Sequence, residues 1–370
     1  METQDPGIPF SEQFSSLLED DISEYVRDLQ FLNSPQVNSL LDRARDRMLG
    51  DGIISSLVPA TPADAMAAVD GGNSVLEIGS GNHCFVLAVR YSTQPGYDIA
   101  LSMERLRFED NEPGALMYGV RTAMELREIA LGNRHRLLQI VDGSWVSVLQ
   151  TLNRTLVHYG EASGHDRGLL KKHLGPALDL DGHFVEAVRH PCNIALSKGA
   201  VSEVYRREYL GEQIKISDKV FLLGVLKAGE YTKPKALKDS GAGQLNVHTD
   251  GLFACQRDIK EIYNGQLSST GEHFLCSTYF KPHPWSPVKR IEFHRRLLAS
   301  GEAGFRRMLS TVSKSMKIPT ILEPLEQFVV DQIVKQHTAR MPALYQTVGI
   351  ASIQRYSNDL ALQLVGQMRT

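Results

Sequence analysis

The sequence predicts an α/β protein: a mixed sheet flanked by helices, with an N-terminal helical extension. Three observations carry this. Short continuous apolar runs of strand length stop at Asp-Gly pairs, Ala-Ala-Val-Asp-Gly-Gly at Asp70 and Leu-Leu-Gln-Ile-Val-Asp-Gly-Ser at Asp142. Two further apolar or alternating segments lie between those pairs, and longer stretches with helical spacing of apolar residues interrupt and flank them.

Residues 10 to 50 carry apolar side chains at helical spacing, from Phe14, Leu17 and Leu18 through Ile22, Tyr25, Val26 and Leu29 to Leu40 and Leu41, so residues 1 to 58 form an N-terminal helical segment. Pro59 and Pro62 punctuate the entry into Met66-Ala67-Ala68-Val69, the first strand of the core. Cys84 to Tyr91 and Tyr97 to Leu106 are strands two and three. A helix runs from Pro113-Gly114 to about Leu131, stopped by Gly132-Asn133. Leu137 to Val141 is strand four, and Trp145 to Tyr159 is helical again.

The order β, β, β, α, β, α is that of the ribonuclease H-like fold, in which the first and fourth strands lie side by side. Asp70 and Asp142 are then adjacent, and Glu125 on the intervening helix joins them if it faces the sheet. Carboxylates at buried strand ends are costly to desolvate and are usually neutralised by a partner or a cation. Three of them would hold one or two Mg²⁺ or Mn²⁺ ions, hard cations that prefer carboxylate oxygen. The bland reading stands beside this one, since Asp-Gly is a common turn signal and most helical glutamates are solvated.

Val75-Leu76-Glu77-Ile78-Gly79-Ser80-Gly81-Asn82 resembles the first motif of S-adenosylmethionine-dependent methyltransferases, an alternative reading. That motif opens a helix, whereas a strand follows here and His83 occupies the usual third glycine position. Gly79 to Asn82 is expected to be a hairpin loop.

The ordered set of motifs resembles the NurA nucleases, partners of the HerA hexameric DNA translocase. Ala-Val-Asp-Gly-Gly at Asp70, the helical Glu125 and Val-Asp-Gly-Ser at Asp142 are similar to its metal-binding motifs. Ile194-Ala-Leu-Ser-Lys198 is similar to its later apolar strand, Tyr279 to Pro287 with Arg290-Ile-Glu-Phe293 to its paired strands, and Ile318-Pro319 through Leu325-Glu326 to its entry into a final core helix. The resemblance covers residues 60 to 345, which makes 59 to 345 the nuclease domain and 346 to 370 a C-terminal tail helix. It implies metal ligation by Asp70, Glu125, Asp142 and Glu326, with Glu323 nominated instead by a one-turn shift. It also implies 5′-to-3′ exonuclease action with some single-strand endonuclease activity, by a homodimer docked on a HerA-type ATPase ring, in DNA end resection or defence against foreign DNA. A non-catalytic DNA-binding or ring-regulating subunit is the alternative.

Lys198, at the end of an apolar strand, is placed to stabilise charge on a scissile phosphate, or else snorkels at the strand end. Residues 205 to 271 are polar, with Lys227, Lys233, Lys235 and Lys238 among glycines, and are expected to form an insertion or lid. Lys233 and Lys235 are its candidate DNA contacts, with a solvated surface as the plain reading.

The 370 residues are 42% hydrophobic and 22% charged, with a formal net charge of −3, so no global basic field advertises a polyanion partner. Four scattered cysteines and scattered histidines give no zinc spacing and no disulfide framework, as expected in a reducing cytoplasm. The acidic, polar N-terminus is unlike a signal peptide, and no run approaches a membrane span.

Overall fold

The computed structural model describes residues 34–63, 65–78, 81–95, 99–109, 113–178, 182–197, 202–212, 214–240, 275–299 and 301–355. Among these, helix α1 (Pro35–Gly50) leads into β1 (Ile54–Ser56). The hairpin β2 (Met66–Ile78) and β3 (Gly81–Ser92) follows, and then β4 (Ala100–Phe108), α2 (Gly114–Gly132), β5 (Leu138–Asp142) and α3 (Trp145–Glu161). Next come α4 (Gly164–Leu178), α5 (His183–Arg189), β6 (Asn193–Ser197), α6 (Val204–Leu210), α7 (Asp218–Val225), β7 (Glu230–Thr232) and β8 (Lys235–Ala236). The chain continues through β9 (Leu275–Lys281), β10 (Lys289–His294), α8 (Arg296–Ala299), α9 (Glu302–Ser315) and α10 (Leu325–Arg355).

The strands form one sheet in the order β1-β7-β9-β10-β6-β5-β2-β3-β4, with β8 added beside β9. β5 runs parallel to both β2 and β6, and the other pairings are antiparallel. This mixed sheet between helices is the ribonuclease H-like arrangement expected, with the first and fourth core strands side by side.

Two helical layers cover the sheet. Val69, Val86 and Val141 point into a cluster with Leu126 of α2, Trp145 and Leu149 of α3, Leu174 of α4 and Phe184 of α5. Their neighbours in sequence, Ala68, Leu87 and Ile140, point the other way, against Leu309 of α9 and Val330 of α10. That alternation is the period of two of a sheet buried on both faces. It explains why the strands read as unbroken apolar runs.

Three segments differ from their sequence-based description. Within the expected N-terminal helical segment 1–58, residues 54–56 form the strand β1 and pair with β7. The first strand does not stop at Asp70 but continues through Gly71 and Gly72 to Ile78, so the Asp-Gly pair there is not a turn. The stretch from 205 to 240, expected as an insertion or lid, is packed into the body of the fold. Its Tyr205, Tyr209, Phe221 and Leu222 pack with Ala44 and Met48 of α1 in a third apolar cluster, and β7 pairs with β1 and β9. Residues 241–271 of that expected segment lie outside the described residues.

Helix α1 belongs to the same body as the sheet. Ser34 caps it by accepting from the Val37 N–H at 3.4 Å, and Pro35 supplies a preset first turn. Arg45 then reaches both carboxylate oxygens of Glu230 at 2.7 Å, a two-pronged ion pair that joins α1 to β7. Residues 1–33 and 356–370 are outside the described residues, and the expected boundary at 345/346 falls inside the continuous α10.

Candidate active site

The parallel ladder between β2 and β5 ends at Val69 opposite Val141. The next residue on each strand is an aspartate, so Asp70 and Asp142 stand side by side where the parallel pairing stops. Both are half-buried. The Asp70 carboxylate accepts the Gly71 N–H at 2.8 Å, and Asp142 accepts a short hydrogen bond from Gln327 of α10. Past Asp142 the chain turns through Gly143 at φ 101°, a conformation open to glycine, and enters α3.

Glu125 reaches the same place from α2. Its side chain is 13% exposed and lies 3.2 Å from Arg121 Nε, one helical turn away. Burial pushes its carboxyl above the ordinary range, Arg121 opposes that shift, and the negative charge of Asp142 adds to it. Glu125 therefore faces a second carboxylate in a poorly solvated place.

The double glycine of β2 makes this approach possible. A Cβ on Gly71 would fall on the Glu125 carboxylate, and one on Gly72, facing the opposite side, would stand 2.6 Å from Val334 of α10. Two helices thus press on consecutive residues of one strand from its two faces.

Beside this site lies a carboxylate that the sequence did not single out for a role of its own. Glu292 of β10 has 0% exposure. Its oxygens accept the Ser144 hydroxyl at 2.9 and 3.0 Å and the Trp145 N–H at 2.9 Å, and Arg290 Nε lies 3.3 Å away. Burial pushes its carboxyl up, and Arg290 with the donors at the start of α3 opposes the shift. Glu292 is a clasp on the N-terminus of α3, in the place where a helix end favours negative charge.

The fourth expected ligand is differently employed. Glu326 is buried, and its carboxylate accepts from the hydroxyls of Thr93, at 2.7 Å, and Ser315. Glu323 precedes the first residue of α10 and is not on the helix. The residue that touches Asp142 is the neighbour of Glu326, Gln327. Residues 327, 331, 334 and 338 form one stripe of α10, with Gln327 on Asp142 and Val334 and Thr338 over Gly72. Asp331 lies on that stripe between them, 14% exposed, and pairs with Lys335 at 2.7 Å. Among the described residues, no three His, Cys, Asp or Glu side chains close into a metal-holding group.

Lys198 lies outside the described residues, one position beyond β6. A different lysine reaches that strand end, Lys219 of α7, which donates to the Ser197 carbonyl at 3.2 Å; burial lowers its pKa. Lys233 and Lys235 are remote. Four strand spacings, roughly 19 Å, separate β5 from β7 beside them. Lys233 is exposed, whereas Lys235 stands 4.3 Å from the Tyr205 ring centre and 3.5 Å from Glu208. Of the methyltransferase-like string, residues 75–78 end β2 and 81–82, expected in a loop, open β3, with Glu77 opposite Asn82 and Ile78 opposite Gly81; residues 79–80 lie outside the described residues. No helix opens after it, so the strand-loop-helix setting that motif needs is missing.

Fold and site define a class: an α/β protein of ribonuclease H-like architecture with carboxylates gathered where its central parallel strands end. The NurA domain profile matches residues 64–331, and the chain belongs to the NurA family. Its structure is similar to that of the NurA nuclease from Sulfolobus solfataricus, with a TM-score of 0.54 at 13% identity over 94% of this chain and 98% of that one. A second NurA structure aligns at 12% identity over 95% and 99%, with a TM-score of 0.49. A third, NurA with manganese, aligns at 12% over 91% and 97%, with a TM-score of 0.44. No curated protein matches the chain by sequence. Among the described residues, no helix is long and apolar enough to cross a membrane.

Proposed function

We propose that this chain is a divalent-metal-dependent nuclease that hydrolyses DNA phosphodiesters at the carboxylates above β2 and β5. One observation carries the reading. Glu125 and Asp142 oppose each other as like charges in a half-buried place, and Gly71 leaves room for that approach. A cation is the direct remedy for such a pair. Membership of the NurA family and the nuclease from Sulfolobus solfataricus among its structural neighbours support it.

An oxygen-only donor set suits Mg²⁺ or Mn²⁺, and Mg²⁺ characteristically binds through one or two carboxylates while water and substrate phosphate complete its shell. Asp70, Glu125 and Asp142 would hold the ion, with Asp331 in preference to Glu326 as the fourth carboxylate. Bound there, the metal would supply an activated water and polarise the phosphoryl oxygen. Arg121 orients Glu125, and Gln327 fixes the rotamer of Asp142. Lys219 supplies positive charge for the phosphate at the end of β6, and Lys198, by its place in the sequence after that strand, is assigned the same role. Lys233 is a contact to the DNA backbone at a distance from the chemistry, and Lys235 a weaker one because Glu208 and Tyr205 already engage it.

The finer reading rests on the family. The chain acts as a 5′-to-3′ exonuclease with single-strand endonuclease activity, as a homodimer docked on a HerA-type hexameric ATPase, in DNA end processing or anti-phage defence in the cytoplasm. End-labelled single- and double-stranded DNA, incubated with Mn²⁺, Mg²⁺ or EDTA and with or without the ATPase, tests it. Metal-dependent cleavage with release from the 5′ end is the expected result. Absence of cleavage in every combination would make the chain a non-catalytic subunit of the ring.

A further inference from the structure

At the other end of β6 the structure holds a second feature, built from positive charge. Four residue steps along this strand, roughly 13 Å, separate Ser197 beside the carboxylates from Asn193. There a cavity of about 330 Å³ opens between the end of α5, the turn into β6 and the start of α8, and Arg189, His190 and Arg296 line it.

Neither guanidinium makes a side-chain hydrogen bond or ion pair with any described residue, and the Nε of Arg189 is sealed from solvent with no partner. A buried donor left so is a standing cost unless something outside the chain meets it. Both arginines act on the buried His294: together with burial, their charge pushes its pKa down to about 4. The one acid on the wall, Glu186, receives the Asn133 amide at 3.5 Å and makes no ion pair with Arg189. The His190 Nδ1 accepts the Cys192 N–H at 3.3 Å, which leaves Nε2–H as a donor in the neutral ring. The Arg189 guanidinium with its orphaned Nε, the solvent-facing guanidinium of Arg296 and an imidazole donor line one space larger than one oxyanion.

We propose that this pocket binds a phosphate group, as a monoester or a diester, with Arg189 and Arg296 as charged donors and His190 as a neutral one. A guanidinium fork matches two oxygens of a phosphate, and two forks need an acceptor with more oxygens than one carboxylate offers. The donor set does not distinguish a free nucleotide from a strand of nucleic acid, since both present the same group. The inference does not depend on the cleavage reading, because no residue of the carboxylate site takes part.

The test is calorimetric titration of the full chain in EDTA with inorganic phosphate, a deoxynucleoside 5′-monophosphate, an oligonucleotide lacking terminal phosphate, and an acidic peptide. Wild type is compared with Arg189→Gln, Arg296→Gln and Asp142→Asn, each checked for an unchanged melting temperature. The expected result is saturable binding of at least one phosphate ligand, weakened about tenfold or more in each arginine variant and unchanged in Asp142→Asn. Binding of the monophosphate alone assigns the pocket to free nucleotide, and binding of the oligonucleotide assigns it to backbone. No saturable binding by any phosphate ligand overturns the proposal. So does equal binding by Arg296→Gln, whose side chain is exposed, or equally tight binding of the acidic peptide.

Discussion

Glu292 and Glu125 both lie where α2 and α3 cover the sheet, and burial pushes both carboxyls above their ordinary range. They differ in company. Glu292 receives a hydroxyl, a backbone N–H and a guanidinium, so its charge is answered by groups fixed in the fold. Glu125 has one arginine, itself 29% exposed, and on its other side the charge of Asp142. A buried carboxylate met by donors holds elements together, while one met by another carboxylate carries a charge that the surrounding fold only partly answers.

The strongest way to break the comparison is to remove the opposing charge. Asp142→Asn and Asp70→Asn should each lower single-turnover cleavage by about 10²–10³-fold, the scale of losing a preorganised charge-stabilising group, with the melting temperature preserved. EDTA should do the same to the wild type. Near-normal cleavage by either variant would mean that the aspartates are strand-end punctuation.

Glu292→Ala should act on the other observable. It takes the acceptor from the Ser144 hydroxyl and the Trp145 N–H at the start of α3 and the carboxylate from beside Arg290, and should cost about 3–5 kcal/mol in denaturant unfolding. A variant as stable as wild type but unable to cut would transfer Glu292 from the clasp to the reactive group.

Gly71→Ala probes the gap between the two regions. The added methyl collides with the Glu125 carboxylate and should cost about 1–3 kcal/mol while weakening Mn²⁺ binding, read by melting curves with and without metal.

The smallest effect concerns pH without metal. Because the folded-state pKa of Glu125 is raised, its contribution to stability is complete below the unfolded value of about 4.5 and is lost as pH rises through the folded value. Glu125→Gln should therefore melt slightly higher than wild type above that window and no higher below it. Added Mn²⁺ should reverse the order, stabilising wild type alone.

The middle of the molecule was legible because it is buried on both faces. Runs such as Leu-Gln-Ile-Val before Asp142 announce a central strand, and the order of elements then puts Asp70 beside Asp142. The rest depended on contacts far apart in sequence. Lys289 to His294 is buried at every position, so nothing in its pattern separates a clasp such as Glu292 from its apolar neighbours. Glu326 and Gln327 differ by one residue, but each step turns a helix by about 100°, enough to send one side chain to Thr93 and the other to Asp142. The polar stretch after Tyr205 looked detachable because its apolar partners sit on α1, more than a hundred residues earlier.

The paired glycines of β2 also guard against mis-threading. If the strand slid by one residue in either direction, Asp70 or Asn73 would enter a slot that now holds a glycine. Its side chain would then meet Glu125 on one face or Val334 on the other. A chain assembled out of step is thus barred from seating α2 or α10 against β2. Correct register is read out by steric fit on both faces of the strand, beside Asp70, before either helix can close over it.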